Sequence, residues 1–317
     1  MNKTVTILLM ISLLMISCKE KEKKAAQVTP EIAINETPFF KLSLAQWSLH
    51  KAIRDDKTLD PIDFAEKASE LGFEGIEYVS DLYIDEIKNL GMSALLDSLK
   101  AKSELFEVEN VLIMVDGEGD LASTDVAKRN EAVENHKKWV DAAQYLGCHA
   151  IRVNTFGTND PELWVKAAED GLRKLSVYAA LKNINVLVEN HGWMSSDAPK
   201  VVEVMNTVNM ENCGTLPDFG NWCTKRKDGE NWGECIEEYP DMYEGIQLLM
   251  PFAKAVSAKS YDFDEDGNET KIDYARMIQI VKDAGYTGFI GVEYEGENLT
   301  EEEGIIATKN LLLKSAI

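Results

Sequence analysis

Apolar residues along this chain fall into short runs separated by longer stretches with helical spacing. Residues 40–45 read as a first strand. Asp60 sits at a helix N-cap with Pro61 at the first helical position, and Phe64, Ala65, Ala68 and Leu71 form the apolar stripe. Gly72 ends that helix and 75–79 is the next strand. A helical stretch broken near Gly91 runs to residue 106, and 108–115 is the third strand. A helix over 124–146, stopped by Gly147, leads to a strand at 150–156. Asp160-Pro161 opens a helix to residue 182, followed by a strand at 185–191 and a helix at 199–208. The sixth strand is 213–219, after which a long loop reaches a helix near 239–253. Strands at 255–261 and 288–294 flank a helix at 272–284 that Gly285 stops. Thr300 caps the last helix, with Glu303 placed for a capping box. Eight strand–helix alternations predict one (β/α)8 TIM barrel, an α/β fold that takes about 250 residues. An open doubly wound sheet would place a glycine-rich phosphate loop after strand one, where this chain has Gln46-Trp47-Ser48.

The N-terminus follows a different pattern. Lys3 precedes an apolar run from Val5 to Ile16, too short to span a bilayer, which ends in Met15-Ile16-Ser17-Cys18. This resembles a bacterial lipobox, with cleavage before Cys18 and lipidation of its thiol. Residues 1–17 then form a signal peptide. Residues 18–38, beginning Cys-Lys-Glu-Lys-Glu-Lys-Lys, read as a flexible tether, and residues 39–317 form the barrel. The expected location is the cell envelope, on a lipid anchor.

Charge narrows the partners. The 317 residues carry a formal net charge of −22. Duplex DNA repels such a chain, so a nucleic-acid partner is not expected. In an oxidising compartment Cys223 and Cys235, which share one loop, are candidates to pair, but their spacing fits no zinc knuckle and free or buried thiols are the expectation. His136, mid-helix among polar residues, reads as a surface side chain.

The C-terminal ends of barrel strands carry catalytic groups, and here three apolar strands end in acids: Val-Leu-Val-Glu189, Leu-Pro-Asp218 and Val-Glu293. A buried carboxylate is rare unless paired or metal-bound. Arg152 on strand four and Lys259 on strand seven offset two charges, while Glu77 on strand two adds another acid. A divalent cation is the simplest balance for the remainder.

The sequence Glu189-Asn190-His191-Gly192, Asp218-Phe219-Gly220-Asn221, Ser257-Ala258-Lys259 and Glu293-Tyr294 resembles the xylose-isomerase-like barrel superfamily, which includes sugar phosphate isomerases/epimerases, ketose 3-epimerases and inosose dehydratases. The resemblance implies that Glu189, Asp218 and Glu293 bind one divalent metal, and an oxygen-rich donor set leans toward Mg²⁺ or Mn²⁺ over Zn²⁺. It also implies that Glu189 and Glu293 are the catalytic acid and base. The family's strand-seven histidine is replaced by Ser257. His191, Lys259, Arg152, Glu77, Trp47 and Asn221 are the candidate substrate-binding residues. His191 reads first as a hydrogen-bond donor to substrate, with metal ligation as its alternative. Trp47 and Trp193 are candidates to stack on sugar rings, and rim packing is the competing reading.

Three functions remain open. A sugar isomerase or epimerase would move a proton beside a carbonyl through an enediolate. A lyase would share that first step but expel a leaving group from an oxidised sugar or glycoside. A non-catalytic carbohydrate-binding lipoprotein would need neither. A DNA-repair enzyme of the endonuclease IV type, which shares this superfamily's fold, needs a histidine-rich zinc site, and the chain has four histidines in all.

Overall fold

A computed structural model describes residues 37–316 apart from residue 228. The leader, Cys18 and most of the tether lie outside the described residues. Eight parallel strands form the wall: β1 Lys41–Ala45, β2 Gly75–Val79, β3 Glu109–Val115, β4 Ala150–Val153, β5 Asn185–Glu189, β6 Cys213–Leu216, β9 Val256–Ser260 and β10 Phe289–Tyr294. Each strand pairs with its sequence neighbour within the wall, and β1 pairs with β10. The ladder closes between β6 and β9, where Ser257 N donates to Pro217 O at 2.9 Å and Phe219 N to Ser257 O at 3.0 Å. The (β/α)8 expectation is met.

Helices α1 Phe64–Glu70, α2 Ile84–Leu90, α3 Met92–Leu105, α4 Val126–Leu146, α5 Pro161–Ala180, α6 Ala198–Val208, α7 Met242–Leu249, α8 Tyr274–Asp283 and α9 Glu301–Ser315 pack on the wall. Local chemistry sets their ends. Asp125, Asp160, Asp197, Asp241 and Asp273 accept from first-turn amides, and Thr300 with Glu303 makes the capping box read from the sequence. Gly72, Gly147 and Gly285 adopt φ of +73°, +83° and +72°, the left-handed turn that ends a helix and that a Cβ disfavours. Among the described residues no helix is long and apolar enough to cross a membrane.

Four expectations change. The strand expected at 213–219 stops at Leu216, because Pro217 has no N–H for the ladder. Pro61 opens a 3₁₀ turn, and α1 follows it. His136 is buried: it lies on the inward stripe of α4 with Ala132, Trp139, Val140 and Ala143, and its Nδ1 is 2.7 Å from Ala132 O. The loop after β6 holds an antiparallel hairpin, β7 Cys223–Arg226 and β8 Cys235–Glu238, and Cys223 and Cys235 are bonded to each other. The antiparallel hairpin brings their Cα atoms to 5.8 Å, although neither cysteine faces the other in the register, and linear spacing did not reveal this. Cys148 and Cys213 remain buried thiols.

Packing against this wall is tight enough to override helix propensity at one position. Gly171 lies inside α5, where alanine would favour the helix by about 1 kcal/mol. A Cβ there would stand 2.2 Å from Leu121 O, a backbone atom. Overpacking of that kind costs roughly 1–3 kcal/mol. Gly171→Ala is therefore expected to lower the melting temperature in calorimetry. An unchanged or raised melting temperature would remove this account of the α5 contact.

Candidate active site

The strand-end acids converge. Glu189, Asp218 and Glu293 each offer a carboxylate oxygen, and these oxygens all lie within 4.8 Å of one another. All three residues are buried, as are Glu77, Arg152 and Lys259. Two unit charges at that separation repel by roughly 3 kcal/mol at an effective dielectric of about 20, so three ionised acids cannot share the space unaided.

Two cations supply part of the compensation, and each is shared. The Arg152 guanidinium sits between Asp116, with Nη1 2.9 Å from Oδ1, and Glu189, with Nε 2.8 Å from Oε2. The second contact is an ion pair whose N–H does not point at the oxygen. Lys259 Nζ lies 3.0 Å from Glu293 Oε1 and 3.3 Å from Glu295 Oε2. Each cation thus joins one acid of the triad to one acid further out. The group of Glu77, Asp116, Glu189, Asp218, Glu293 and Glu295 still outnumbers Arg152 and Lys259.

Neutral groups fix the geometry. Asn221 Nδ2 donates to Glu189 Oε1 at 3.0 Å, so this predicted substrate contact holds a triad member. Asp218 Oδ1 accepts from the amides of Gly220 and Asn221 at 2.8 and 2.9 Å. Asn190 clamps the Asp218 backbone, accepting from its N at 2.7 Å and donating to its O at 2.9 Å. Ser257 Oγ, standing where the resemblance implied an imidazole, donates to Glu293 Oε2 at 3.0 Å. Ser43 donates to Glu77 Oε1 at 2.6 Å, and Gly291 leaves room for that carboxylate: a Cβ would stand 2.5 Å from it.

Burial and mutual repulsion reshape the acidities. Desolvation pushes Glu77 up to about 8, against the pull of Ser43. Desolvation pushes Glu189 up to about 7; Arg152 opposes the shift and Glu293 adds to it. Asp218 is raised well above the usual range, again chiefly by desolvation. Burial would lower Lys259, but Glu293, Glu295 and Asp218 together hold it well above its ordinary value. His191 is driven down to about 3 by desolvation and by Arg152.

A divalent cation fits this donor set. Glu189 Oε2 and Asp218 Oδ2 are buried oxygens that receive no hydrogen bond, as is Glu77 Oε2 nearby. Buried carboxylate oxygens that receive no hydrogen bond are costly unless an ion or protons satisfy them.

The remaining expected residues lie around the rim. Trp47 stacks on His50 with ring centroids 4.5 Å apart, and its Nε1 donates to Glu295. Trp193 is buried, with Nε1 donating to Glu230 O at 3.0 Å under the hairpin loop, so rim packing describes it. His191 Nδ1 is 2.7 Å from Asn154 Oδ1. Sequence reasoning missed Asp116, Asn154, Asn190 and Glu295. Glu295 was findable, because it lies two residues beyond Glu293 on the same strand face.

An eight-stranded barrel with carboxylates gathered at the C-terminal ends of its strands is the architecture of a barrel enzyme site. Residues 65–315 match the family model described as a xylose isomerase-like TIM barrel, and the chain belongs to that family. Solved structures with similar folds include an IOLI protein with a bound zinc atom, at 17% identity and TM-score 0.64, covering 87% of this chain and 98% of that one. L-ribulose 3-epimerase aligns at 13% identity and TM-score 0.66, covering 87% and 95%. The E. coli 3-keto-D-glucoside 4-epimerase aligns at 14% identity and TM-score 0.62, covering 87% and 99%. Two curated relatives match shorter stretches. The 3'-dehydrocarminate deglycosidase alpha subunit of Microbacterium sp. is 40% identical over 53 residues, 17% of this chain and 15% of that protein. The C-glycoside deglycosidase alpha subunit of Arthrobacter globiformis is 35% identical over 74 residues, 22% and 21%. The chain thus matches about a fifth or less of each relative's length.

The acid cluster gives metal-free protein a defined pH dependence. In the folded state Glu77 and Glu189 keep protons to about 8 and 7, whereas in the unfolded chain they release them near 4.5. Raising the pH strips protons that the folded state prefers to hold, so stability falls. His191, held neutral when folded, works the opposite way below about 6.5, so the window lies above that value. From pH 7 to about 9 the melting temperature of chelator-treated protein should drop by roughly 5 °C, and Mn²⁺ should abolish the drop. A flat profile without metal would contradict the buried-acid assignment.

Proposed function

We propose that this chain is a metal-dependent enzyme that moves a proton on the carbon beside a carbonyl in a sugar-like substrate. The observation that carries the proposal is the buried triad of Glu189, Asp218 and Glu293, with one carboxylate oxygen from each within 4.8 Å of the others. A bound divalent cation would be held by these three residues and would supply Lewis-acid polarisation of substrate oxygens. Their all-oxygen donor set favours magnesium or manganese over zinc.

The side chains divide the remaining work. Glu189, buried beside Arg152 and converging with Asp218 and Glu293, is placed to take a proton from the substrate carbon. Glu293 is held by Ser257 and Lys259 on the same centre and is placed to return a proton. Lys259 Nζ is a permanent cation, and it steadies negative charge that develops on a carbonyl oxygen. Arg152 keeps Glu189 from rising further in pKa.

Two outcomes share this first step. If the proton returns to the neighbouring carbon or to the opposite face, the enzyme is an isomerase or epimerase. If a group two carbons from the carbonyl leaves with the electron pair, the enzyme is a lyase that cleaves an oxidised glycoside. The deglycosidase relatives favour weighing the second outcome beside the first.

Glu293→Gln keeps the shape but removes the proton-carrying oxygen. Turnover of a 3-keto-glucoside should fall by about 10²–10⁴-fold, and solvent deuterium should no longer enter recovered substrate. Preserved deuterium exchange would sink the acid/base role. In the unmodified enzyme, a released aglycone identifies elimination and a rearranged glycoside identifies isomerisation.

We also propose that the protein is anchored in the cell envelope through Cys18. The Cys223–Cys235 bond supports an oxidising compartment. Cys18→Ala should leave the leader uncleaved and the protein unlabelled by radioactive palmitate. Normal cleavage and labelling would rule out that anchor.

A further inference from the structure

Beside the carboxylate cluster, Asn154 has one orientation its neighbours allow. Asp116, held charged by Arg152, can only accept, so it faces the Asn154 amide NH₂ at 2.6 Å. The Asn154 carbonyl oxygen therefore turns toward the Arg152 guanidinium and the His191 ring. His191 Nδ1 must donate to that oxygen. The imidazole is thus fixed as the Nδ1–H tautomer, and Nε2 carries a lone pair. Among the described residues Nε2 has no protein partner, and it is not sealed from solvent. The same Asn154 oxygen ties the ring to Arg152, the partner of Glu189, and so to the edge of the cluster. The sequence suggested a hydrogen-bond donor here; the relay makes His191 an acceptor.

Two aromatic rings stand beside this imidazole. Trp232 meets the His191 ring edge-on at 4.9 Å between centroids, and Phe156 meets Trp232 edge-on at 5.6 Å. Trp232 is 55% exposed, yet its loop is fastened: Cys223–Cys235 closes it, Arg226 Nη1 donates to Gly233 O at 2.6 Å, and Trp193 donates to Glu230 O. A solvent-facing indole on a fastened loop is a surface prepared for a flat partner. A second sugar ring would need several polar partners at its edge, whereas these three rings offer only Nε2 and the indole N–H.

We propose that Phe156, His191 and Trp232 form a subsite for a planar aromatic ring bearing a hydroxyl group, which donates to His191 Nε2. The function proposed above is what would make this ring the aglycone of an aryl glycoside. Asn154 and Asp116 are positioning residues that act through the imidazole tautomer.

The test uses sugar-free probes on the full protein: 2-naphthol, 2-methoxynaphthalene, which cannot donate, and decahydro-2-naphthol, which is not planar. Fluorescence or NMR titration should show 2-naphthol binding about fivefold more tightly than either control. Trp232→Ala should remove the preference for planarity, and Trp232→Phe should keep most of it. Asn154→Leu should remove the preference for a hydroxyl. Nitrogen-15 spectra of histidine should show the Nδ1–H tautomer in the unaltered protein and its loss in Asn154→Leu, a change that mere loosening of the fold would not produce. Equal affinity for all three probes, no binding of 2-naphthol, or an Nε2–H tautomer would overturn the proposal. Failure of the sugar chemistry would leave these results unchanged, because no probe contains a sugar and no turnover is read.

Discussion

Burying more acid than base inside a barrel is the constraint on which the rest of this structure depends. Glu77, Glu189, Asp218 and Glu293 occupy space that a barrel of this size ordinarily fills with aliphatic side chains. Their charges are tolerated because Arg152 and Lys259 each serve two acids, and because protons or a cation can satisfy the oxygens that remain. Removing either base would leave two acids without a cationic partner, and a buried charge stranded in that way costs about 3–5 kcal/mol. The small residues nearby follow from the same demand. Gly291 exists where a side chain would strike Glu77, and Gly220 where one would strike Lys259.

The fold was legible because its signals are local. Helix stops at Gly72, Gly147 and Gly285, and the cap at Thr300, depend on a few neighbouring residues and survive folding unchanged. The strand-end acids were legible for a related reason: a charged residue closing an apolar run has few structural explanations. What was not legible depends on pairing between distant positions. The partners of Arg152 include Asp116, a loop residue beyond β3 whose role depends on barrel register. The Cys223–Cys235 bond depends on a hairpin whose strands are too short and too polar to declare themselves. His136 was misread because its polar neighbours in sequence lie on the opposite face of α4 from the stripe it joins.

Ser257 shows how a single exchange redirects a site. An imidazole would bring a nitrogen ligand and a ring. The hydroxyl instead ties Glu293 down from one side while Lys259 holds it from the other. Glu293 therefore points at the shared centre through two contacts supplied by its neighbour strand, β9. For the metal centre proposed above, the exchange would make the donor set harder and give up one ligand, and it leaves the carboxylate triad intact.

Pro217 interrupts the ladder, and the wall is completed beyond it through Asp218 and its neighbour across from Ser257. The residue that presents an oxygen to the interior is thus also the rivet between the first and last thirds of the sheet. Binding at that oxygen and closure of the cylinder therefore act on the same short stretch of chain.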